Sequence, residues 1–576
     1  MISNFIRSKI GPSLILAFIS LLWPGALHLR AEDRYVVEPG TPGGTNEGPY
    51  TDWAIAATQI QWAVNAATNS GDTVWVSNGT YVLTNQINVI SNIVLRSTNG
   101  PDGTIVNGGF VEGAPDATTN NRCLYLSNLS ALVSGFTFSN GGVCTDGGGG
   151  VWLAGGILSN CTVRNNIAYS LTSRVYGGGI YIRPYGTAVA CLVADNIASN
   201  STGDKSFGAG ISGGNFAQYP GWEVYGCVVS NNRIVGIPAD KRGGGIYAAS
   251  GKIMSSLIYN NSAGADGYGG GVALDYGALL NSCTVSVNEA NLGGGIYLVS
   301  GTTTNCLVSS NYGSAGQYPG IYAGGAGVEV YNTTVSGHTN TAYRMAAYSI
   351  NATNKMINCI IENNDALGVE LTGVSANYYS IFIVSNCVVR NNKAGGISCT
   401  SVRNVQLRNC LIANNTNSGT YVGLLIGASG RTGTISVSSC TIASNYGANY
   451  GAGIRFADTN GGITVSSCVI ASNGVGGTND VYDMYAPTNY NAFQYSCVGL
   501  NPGFTGAAIV VASPQFADFA GGNFRLSGNS PCINAGSNET WMTNAFDLEG
   551  RTRIRYGRVD MGAYETTQDG TLYGFH

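Results

Sequence analysis

The sequence predicts an all-β chain: a single right-handed parallel β-helix of about 14 rungs, closed by an N-terminal capping helix and a C-terminal cap. Three observations lead there. The first is composition. Gly supplies 84 of 576 residues, charged residues only 10% and hydrophobic residues 44%, with 15 Pro. Long helices favour Ala, Leu, Glu and Lys, and collagen or a Pro-rich linker carries far more Pro, so a β-rich, turn-rich chain remains. The second is a phrase, Cys-x-Val/Ile-x-x-Asn, that returns twelve times at spacings of 23 to 36 residues. The third is a Gly-rich phrase ending in Val or Ile, such as GGGIY at Ile180, Ile246 and Ile296, that precedes many of those copies. A unit this short cannot bury its apolar face alone. Stacking buries it continuously, each strand pairing in parallel with its equivalent in the next rung. The right hand follows from the crossover rule for parallel strands.

The elements follow in chain order. Residues 1–31 read as an export signal: Arg7 and Lys9 precede the apolar run Ser13–Trp23, and Pro24 ends it. A run of eleven residues is too short to span a bilayer; a membrane anchor is the competing reading. No later stretch reaches 18 apolar residues, so no transmembrane segment is expected after the signal. Residues 32–80 form the N-terminal cap, where Ile60, Ala63, Val64 and Ala67 fall at helical spacing before Gly71 and the strand Thr73–Val76.

Residues 81–505 form the solenoid. Ten copies place Cys in the first position: Cys161, Cys191, Cys227, Cys283, Cys306, Cys359, Cys387, Cys410, Cys440 and Cys468, while Ser256 and Thr333 hold the other two. Phe136 and Cys497 occupy that column in weaker flanking copies. Cys at zero and Val or Ile at two share one strand face, so both point inward. Like side chains on stacked strands stand about 4.8 Å apart, wider than a disulfide's Cβ separation, and the column reads as free thiols acting as small hydrophobes. Paired disulfides in an exported protein are the alternative, and Cys123, Cys144, Cys399 and Cys532 lie off the column. No CxxC occurs, so a Cys-based metal site has no support.

Eleven copies end on Asn: Asn166, Asn196, Asn232, Asn261, Asn288, Asn311, Asn364, Asn392, Asn415, Asn445 and Asn473; His338 is the exception. Asn at one fixed corner stacks its amide on the next rung and satisfies corner backbone groups that the strands leave unpaired. An imidazole does the same work, since one ring nitrogen donates and the other accepts, so His338 is read as structural. Residues 506–576 form the C-terminal cap, where Asp547, Glu549, Asp560 and Glu565 mix with Arg551, Arg553, Arg555 and Arg558 and read as cap ion pairs, a metal or catalytic carboxylate site being the alternative.

The opening TQIQWAVNAATNSGDTVWVSNGTY and the GGGI repeats resemble the right-handed parallel β-helix, pectin-lyase-like superfamily. The closing SPCINAGSN and DLEGRTRIRYGRVDMGAYE resemble the ending of bacterial choice-of-anchor Q surface proteins. The pairing of GGGI with Val/Ile-x-x-Asn is similar to polymorphic outer-membrane protein repeats, although only 11 residues follow Glu565 here, too few for their C-terminal barrel. These resemblances imply the fold and export. They imply no particular chemistry, because one such fold hosts many functions. The acidic and Arg signatures of pectate lyases and polygalacturonases are not found.

Two surface features are candidate sites. The residue after the inward Ile of GGGIY points outward, giving Trp152, Tyr181, Ser212, Tyr247, Ala273, Tyr297 and Glu329 on successive rungs. Such aromatic platforms suit sugar rings. Just before that face, loops carry Asp204, Asp240 and Asp266, with Asp146 placed similarly before Val151. Facing acids hold Ca²⁺ or act as an acid/base pair, and Glu329 with Glu370 forms a second such pair. The ordinary alternative is solvated loop charge. A net charge of −4 excludes a nucleic-acid binder working through a broad basic face. The functional expectation is an exported surface or extracellular protein that binds a polysaccharide or cell-surface glycan without catalysis and without a cofactor. The runner-up is a polysaccharide lyase or glycoside hydrolase acting along the aromatic face.

Overall fold

The computed structural model describes residues 31–567 apart from 111–120, 145–146, 172, 202, 215–220, 239, 314–317, 348–351, 374–379, 418–421, 428–432, 448–451, 457–461, 476–483, 486–492 and 500–505. The export signal, except its last residue, and Asp146 lie outside the described residues.

Three long parallel sheets run the length of the chain, with 15, 17 and 16 strands. One turn contributes a strand to each. Val151–Leu153 lies in sheet one, Gly156–Ser159 in sheet two and Thr162–Arg164 in sheet three. These pair in register with Ile180–Ile182, Gly186–Val189 and Leu192–Ala194 of the following turn. The Gly-rich phrase makes sheet one and the Cys phrase makes sheet three. Sheet two carries no shared phrase. Its inward residue varies from Leu158 to Ala188, Val224, Ile253 and Thr303, all fully buried, so repetition alone does not reveal it. The strand counts exceed the expected 14 rungs because the end strands lack both phrases.

The core is one continuous stack of inward residues from all three sheets, mostly aliphatic, with Cys and aromatic residues such as Phe136, Trp222 and Phe382 among them. Val163, Val193, Val229, Ile258, Val285 and Val308 are all completely buried, each stabilising by roughly 1.5–3 kcal/mol through apolar burial. Corners on either side of sheet three turn on left-handed residues, such as Asn160 (φ 48°), Asn165 (φ 55°), Asn386 (φ 54°) and Asn391 (φ 56°). Asn tolerates that region better than most residues.

The ten column cysteines are buried and unpaired. Their Sγ atoms lie against corner carbonyls, as Cys161 does against Ser159 O at 3.2 Å, and burial pushes the Cys161 thiol up to about 12. Cys497 is a correction. Val469 pairs with Cys497, so the column position belongs to Ser496, whose Oγ accepts from Cys468 N at 3.1 Å. The weak flanking copy is shifted by one residue, which turns Cys497 to the outer face, where it packs with Cys532, Leu526, Ile533 and Met561.

The corner Asn residues form a continuous buried ladder. Nδ2 of Asn166 donates to Oδ1 of Asn196 at 3.0 Å, Asn196 to Asn232 at 2.9 Å, Asn232 to Asn261 at 2.9 Å, and so on to Asn473. The same Oδ1 also accepts the backbone N–H of the preceding corner, as from Asn166 N to Asn196 Oδ1 at 3.0 Å. Each Nδ2 also donates to a strand carbonyl, as from Asn196 to Val163 O at 2.9 Å. His338 closes the gap between Asn311, 3.4 Å from its Nε2, and Asn364, 3.0 Å from its Nδ1.

At the start, the helix Ile60–Ala66 buries Ile60, Ala63 and Val64 against the core. A preceding strand, Asp33–Val36, pairs with Thr73–Val76 and extends sheet two. At the other end the structure departs from the expected cap. The C-terminal segment lies along the outer face of sheet three. Phe516, Phe524, Leu548 and Tyr564 pack on Val388, Leu411, Ala413 and Ala443, and Ala563 N donates to Thr441 Oγ1 at 2.9 Å. The reason is apolarity. From Leu411 onward the outward positions of this sheet are Leu, Val, Ala and Cys apart from Thr441, and they need a cover. Inside the segment, buried Arg553 pairs with buried Glu565 at 3.2 Å.

Candidate functional site

After the corner Asn, the chain does not go straight back to sheet one. In the middle turns it runs outward and returns, and these excursions stack into a further ten-stranded parallel layer. Outgoing strands such as Ile167–Ser170 and Ile197–Asn200 pair rung to rung. Returning strands Val175–Tyr176, Lys205–Phe207 and Asp240–Arg242 do likewise. Ala168, Ala198, Ile234, Ala263 and Ala290 form a small second core there.

This layer corrects the aromatic platform. Trp152, Tyr181, Tyr247 and Tyr297 do point outward from sheet one, but returning-strand aromatics cover much of that face. Tyr176 stacks on Tyr181 at 5.4 Å and Phe207 meets Tyr247 at 4.5 Å. Tyr181 is 2% exposed and Tyr247 6%, while Trp152 and Tyr297 are only partly buried. Tyr176 and Phe207 sit in returning strands outside both repeated phrases, so sequence reasoning missed them.

Glu329 is a second correction. Its strand, Val328–Tyr331, belongs to sheet two, pairing with Gly301–Thr304. The sheet-one strand of that turn is Ile321–Ala323, and Tyr322 pairs with Tyr297 in the aromatic column. The phrase there reads PGIY, and the later GAGVE imitates the Gly-rich signal one sheet too late. Glu370 lies on sheet one opposite Arg344. Glu329 and Glu370 therefore face different sides of the solenoid and form no pair. Glu329 instead accepts from Lys355 at 2.7 Å.

The Asp loops are matched to cations. Asp204 lies 3.7 Å from Arg174; Asp240 lies 3.3 Å from Lys205 and 2.9 Å from Arg242; Asp266 lies 2.7 Å from Lys241. The Lys241 ammonium holds the Asp266 carboxyl below the usual range. Arg242 also reaches Asp275 at 3.4 Å. The three acids are not brought face to face: cations alternate with them along the layer. Among the described residues no group of three metal-capable side chains gathers.

Where the covering layer ends, at the strand Tyr312–Gly313, the outward column of sheet one changes character. After Tyr297 and Tyr322 come Arg344, Glu370 and Ser398. Tyr318 approaches from the side. Its hydroxyl accepts from Arg344 Nη1, and the guanidinium lies 4.5 Å from the Tyr318 ring and 5.5 Å from that of Tyr322. Arg344 Nε is buried without a hydrogen-bond partner among the described residues. Burial first, and Glu370 second, push the Tyr318 phenol up to about 12, so it holds its proton at neutral pH. This group offers ring faces, a guanidinium and a carboxylate side by side on adjacent rungs. No repeated phrase marks it, because Arg344 and Glu370 replace the residues that the pattern supplies elsewhere.

Residues 319–488 match the family model described as a right handed beta helix region. No curated protein matches the chain. Among solved structures it is similar to the A-module of a mannuronan C-5 epimerase from Azotobacter vinelandii, with 14% identity, 79% of this chain and 95% of that chain covered, and a TM-score of 0.28. It is also similar to a pectate lyase, with 13% identity, 93% and 96% covered, and a TM-score of 0.22. A third likeness is to a mannuronic acid specific polysaccharide family 6 lyase from the human gut microbiota, with 12% identity, 57% and 78% covered, and a TM-score of 0.27. In-register parallel pairing along three sheets, together with the family match, makes this chain a right-handed parallel β-helix.

Proposed function

We propose that the chain is an exported bacterial β-helix, held at the cell surface or released, that binds an extended glycan without cutting it. The observation that carries this reading is the partly exposed group of Tyr297, Arg344 and Glu370 on the outward column of sheet one, with Tyr318 beside it and the ring of Tyr322, itself buried, 5.5 Å from the Arg344 guanidinium. Ring faces suit the apolar faces of pyranoses, and the adjacent charged groups suit their hydroxyls. The spacing of one rung, about 4.8 Å, lets consecutive sugars meet consecutive turns. The neutralised Asp204, Asp240, Asp266 and Glu329 support binding over acid/base catalysis, and the reading calls for no cofactor and no Ca²⁺. Export rests on the residue pattern of 1–31, and surface retention on the likeness of the closing segment to choice-of-anchor Q proteins.

A second reading is favoured by one feature. The Tyr318 hydroxyl sits between Arg344 and Glu370, and a protonated phenol beside a guanidinium is a competent proton donor for polysaccharide elimination. One experiment separates the two. The purified protein is tested on an array of bacterial and plant polysaccharides for binding, and on the same polymers for absorbance of unsaturated products. Binding without product, weakened in Arg344→Gln, is expected. Product formation that is lost in Tyr318→Phe would establish the lyase instead, and absence of both would remove sheet one as the functional face.

A further inference from the structure

The C-terminal segment does more than cover sheet three. Its short turn at Thr540–Met542 reaches round onto sheet two, where Glu539 accepts hydrogen bonds from Ser438 at 2.6 Å and from Ser466. Its other oxygen accepts the indole N–H of Trp541 at 2.9 Å. All three donors are protein groups, so the Glu539 carboxylate is committed to fixing Trp541 in place. Beneath the indole lies Arg408, on the sheet-two strand Asn404–Arg408, with its guanidinium carbon 5.5 Å from the ring centroid.

Together Arg408, Asn538, Glu539, Thr540 and Trp541 line an open pocket of about 610 Å³. Arg408 is the only cation in this lining. Unlike Arg390, which is held by Glu362 at 2.7 Å, it has no carboxylate within 4.0 Å and its guanidinium makes no hydrogen bond among the described residues. A guanidinium carries five donors in a planar fork suited to a carboxylate. Here that fork is half-buried, braced by an aromatic ring and unused.

We infer that this pocket binds an acidic sugar residue, its carboxylate on Arg408 and its ring against Trp541. The class follows from the lining. The fork selects an oxyanion, the indole selects a ring with an apolar face, and Thr540 and Asn538 at the exposed rim suit hydroxyls. A free inorganic anion satisfies only the first of these. The site stands on its own residues, on sheet two, and is independent of the sheet-one face.

Calorimetry on the full chain tests it, with a trisaccharide of glucuronic acid, its neutral methyl ester, and sodium sulfate. The acid trisaccharide is expected to bind, with Arg408→Gln and Trp541→Ala each weakening it by about tenfold or more. The methyl ester is expected to bind as weakly to the native protein as the acid does to Arg408→Gln. Arg390→Gln, whose guanidinium is held by Glu362 away from this pocket, is expected to leave this binding unchanged. The ester comparison needs no variant, so it decides even if Arg408→Gln fails to fold. No binding at millimolar concentration, equal binding of acid and ester, equal displacement by sulfate, or loss in Arg390→Gln instead would each overturn the inference.

Discussion

Gly179 and Asn196 share one volume: a Cβ built on Gly179 would stand 2.8 Å from Nδ2 of Asn196 and 2.7 Å from the Gly210 carbonyl. The same relation recurs between Gly210 and Asn232 and between Gly245 and Asn261. The Gly-rich phrase and the Asn of the Cys phrase are thus two halves of one corner. Gly179→Ala is expected to destabilise by about 1–3 kcal/mol, the usual cost of overpacking, measured by denaturant unfolding. An unchanged midpoint would show that the ladder yields more easily than its hydrogen bonds suggest.

His338 makes the solenoid acid-sensitive. Asn311 donates to its Nε2 and Asn364 accepts from its Nδ1, so the ladder needs the neutral Nδ1–H tautomer. A proton on Nε2 would face an amide N–H₂. Burial, partly offset by the hydrogen bond to Asn364, lowers its pKa from 6.5 to about 4. A lowered folded-state pKa means that stability is full above about 6.5 and falls as the pH drops toward 4, by up to about 3 kcal/mol. His338→Asn is expected to match or exceed the native melting temperature at pH 7 and to remove that part of the loss at pH 4.5. Parallel losses in both proteins would assign the acid sensitivity elsewhere.

The thiol column predicts a titration. In denaturant without reductant, at least ten thiols, on the order of the column's own number, are expected to react, while the folded protein leaves them silent. Cys283→Ser is expected to cost about 1–3 kcal/mol at most, because Ser256 already sits one rung away and donates to Met254 O at 2.8 Å. Recovery of nearly all cysteines as disulfides would overturn the column.

The C-terminal segment covers Leu411, Ala413, Ala443, Val469 and Cys497. Removing residues 514–576 is expected to leave the solenoid's circular dichroism largely intact while exposing this apolar strip. Increased binding of a hydrophobic dye and concentration-dependent association are the measurements. A truncated chain that stays monomeric and dye-silent would show that the segment is not needed as a cover.

The repeats made much of this legible. Cys161, Val163 and Asn166 obey one spacing in turn after turn because each fills a fixed inward or corner position. Sheet two was not legible, since its strands have one inward residue in some turns, Leu158 or Thr303, and two in others, Phe382 with Val384 or Val405 with Leu407, and no shared phrase marks them. Glu329 was misplaced because GAGVE carries the Gly signal on the wrong sheet, and Cys497 because its copy is shifted by one residue. The surroundings of the aromatic face and of the C-terminal pocket were hidden for a different reason. Tyr176 covers Tyr181 from an excursion of variable length, and Trp541 reaches Arg408 across most of the C-terminal segment. Neither contact has a local spacing to betray it.

The Asn ladder has a direction. Every side-chain amide from Asn166 to Asn473 presents its oxygen toward the N-terminal turns and its N–H₂ toward the C-terminal turns, and the neutral imidazole of His338 keeps that sense. Aligned amides add as they do in an α-helix, so this corner carries a macrodipole along the solenoid axis, negative at its N-terminal end and positive at Asn473. Peptide dipoles of successive residues in each strand alternate up and down the axis and largely cancel, so the aligned side chains give the rod two electrically distinct ends. A second solenoid stacking end to end would meet attraction in head-to-tail order and repulsion head to head.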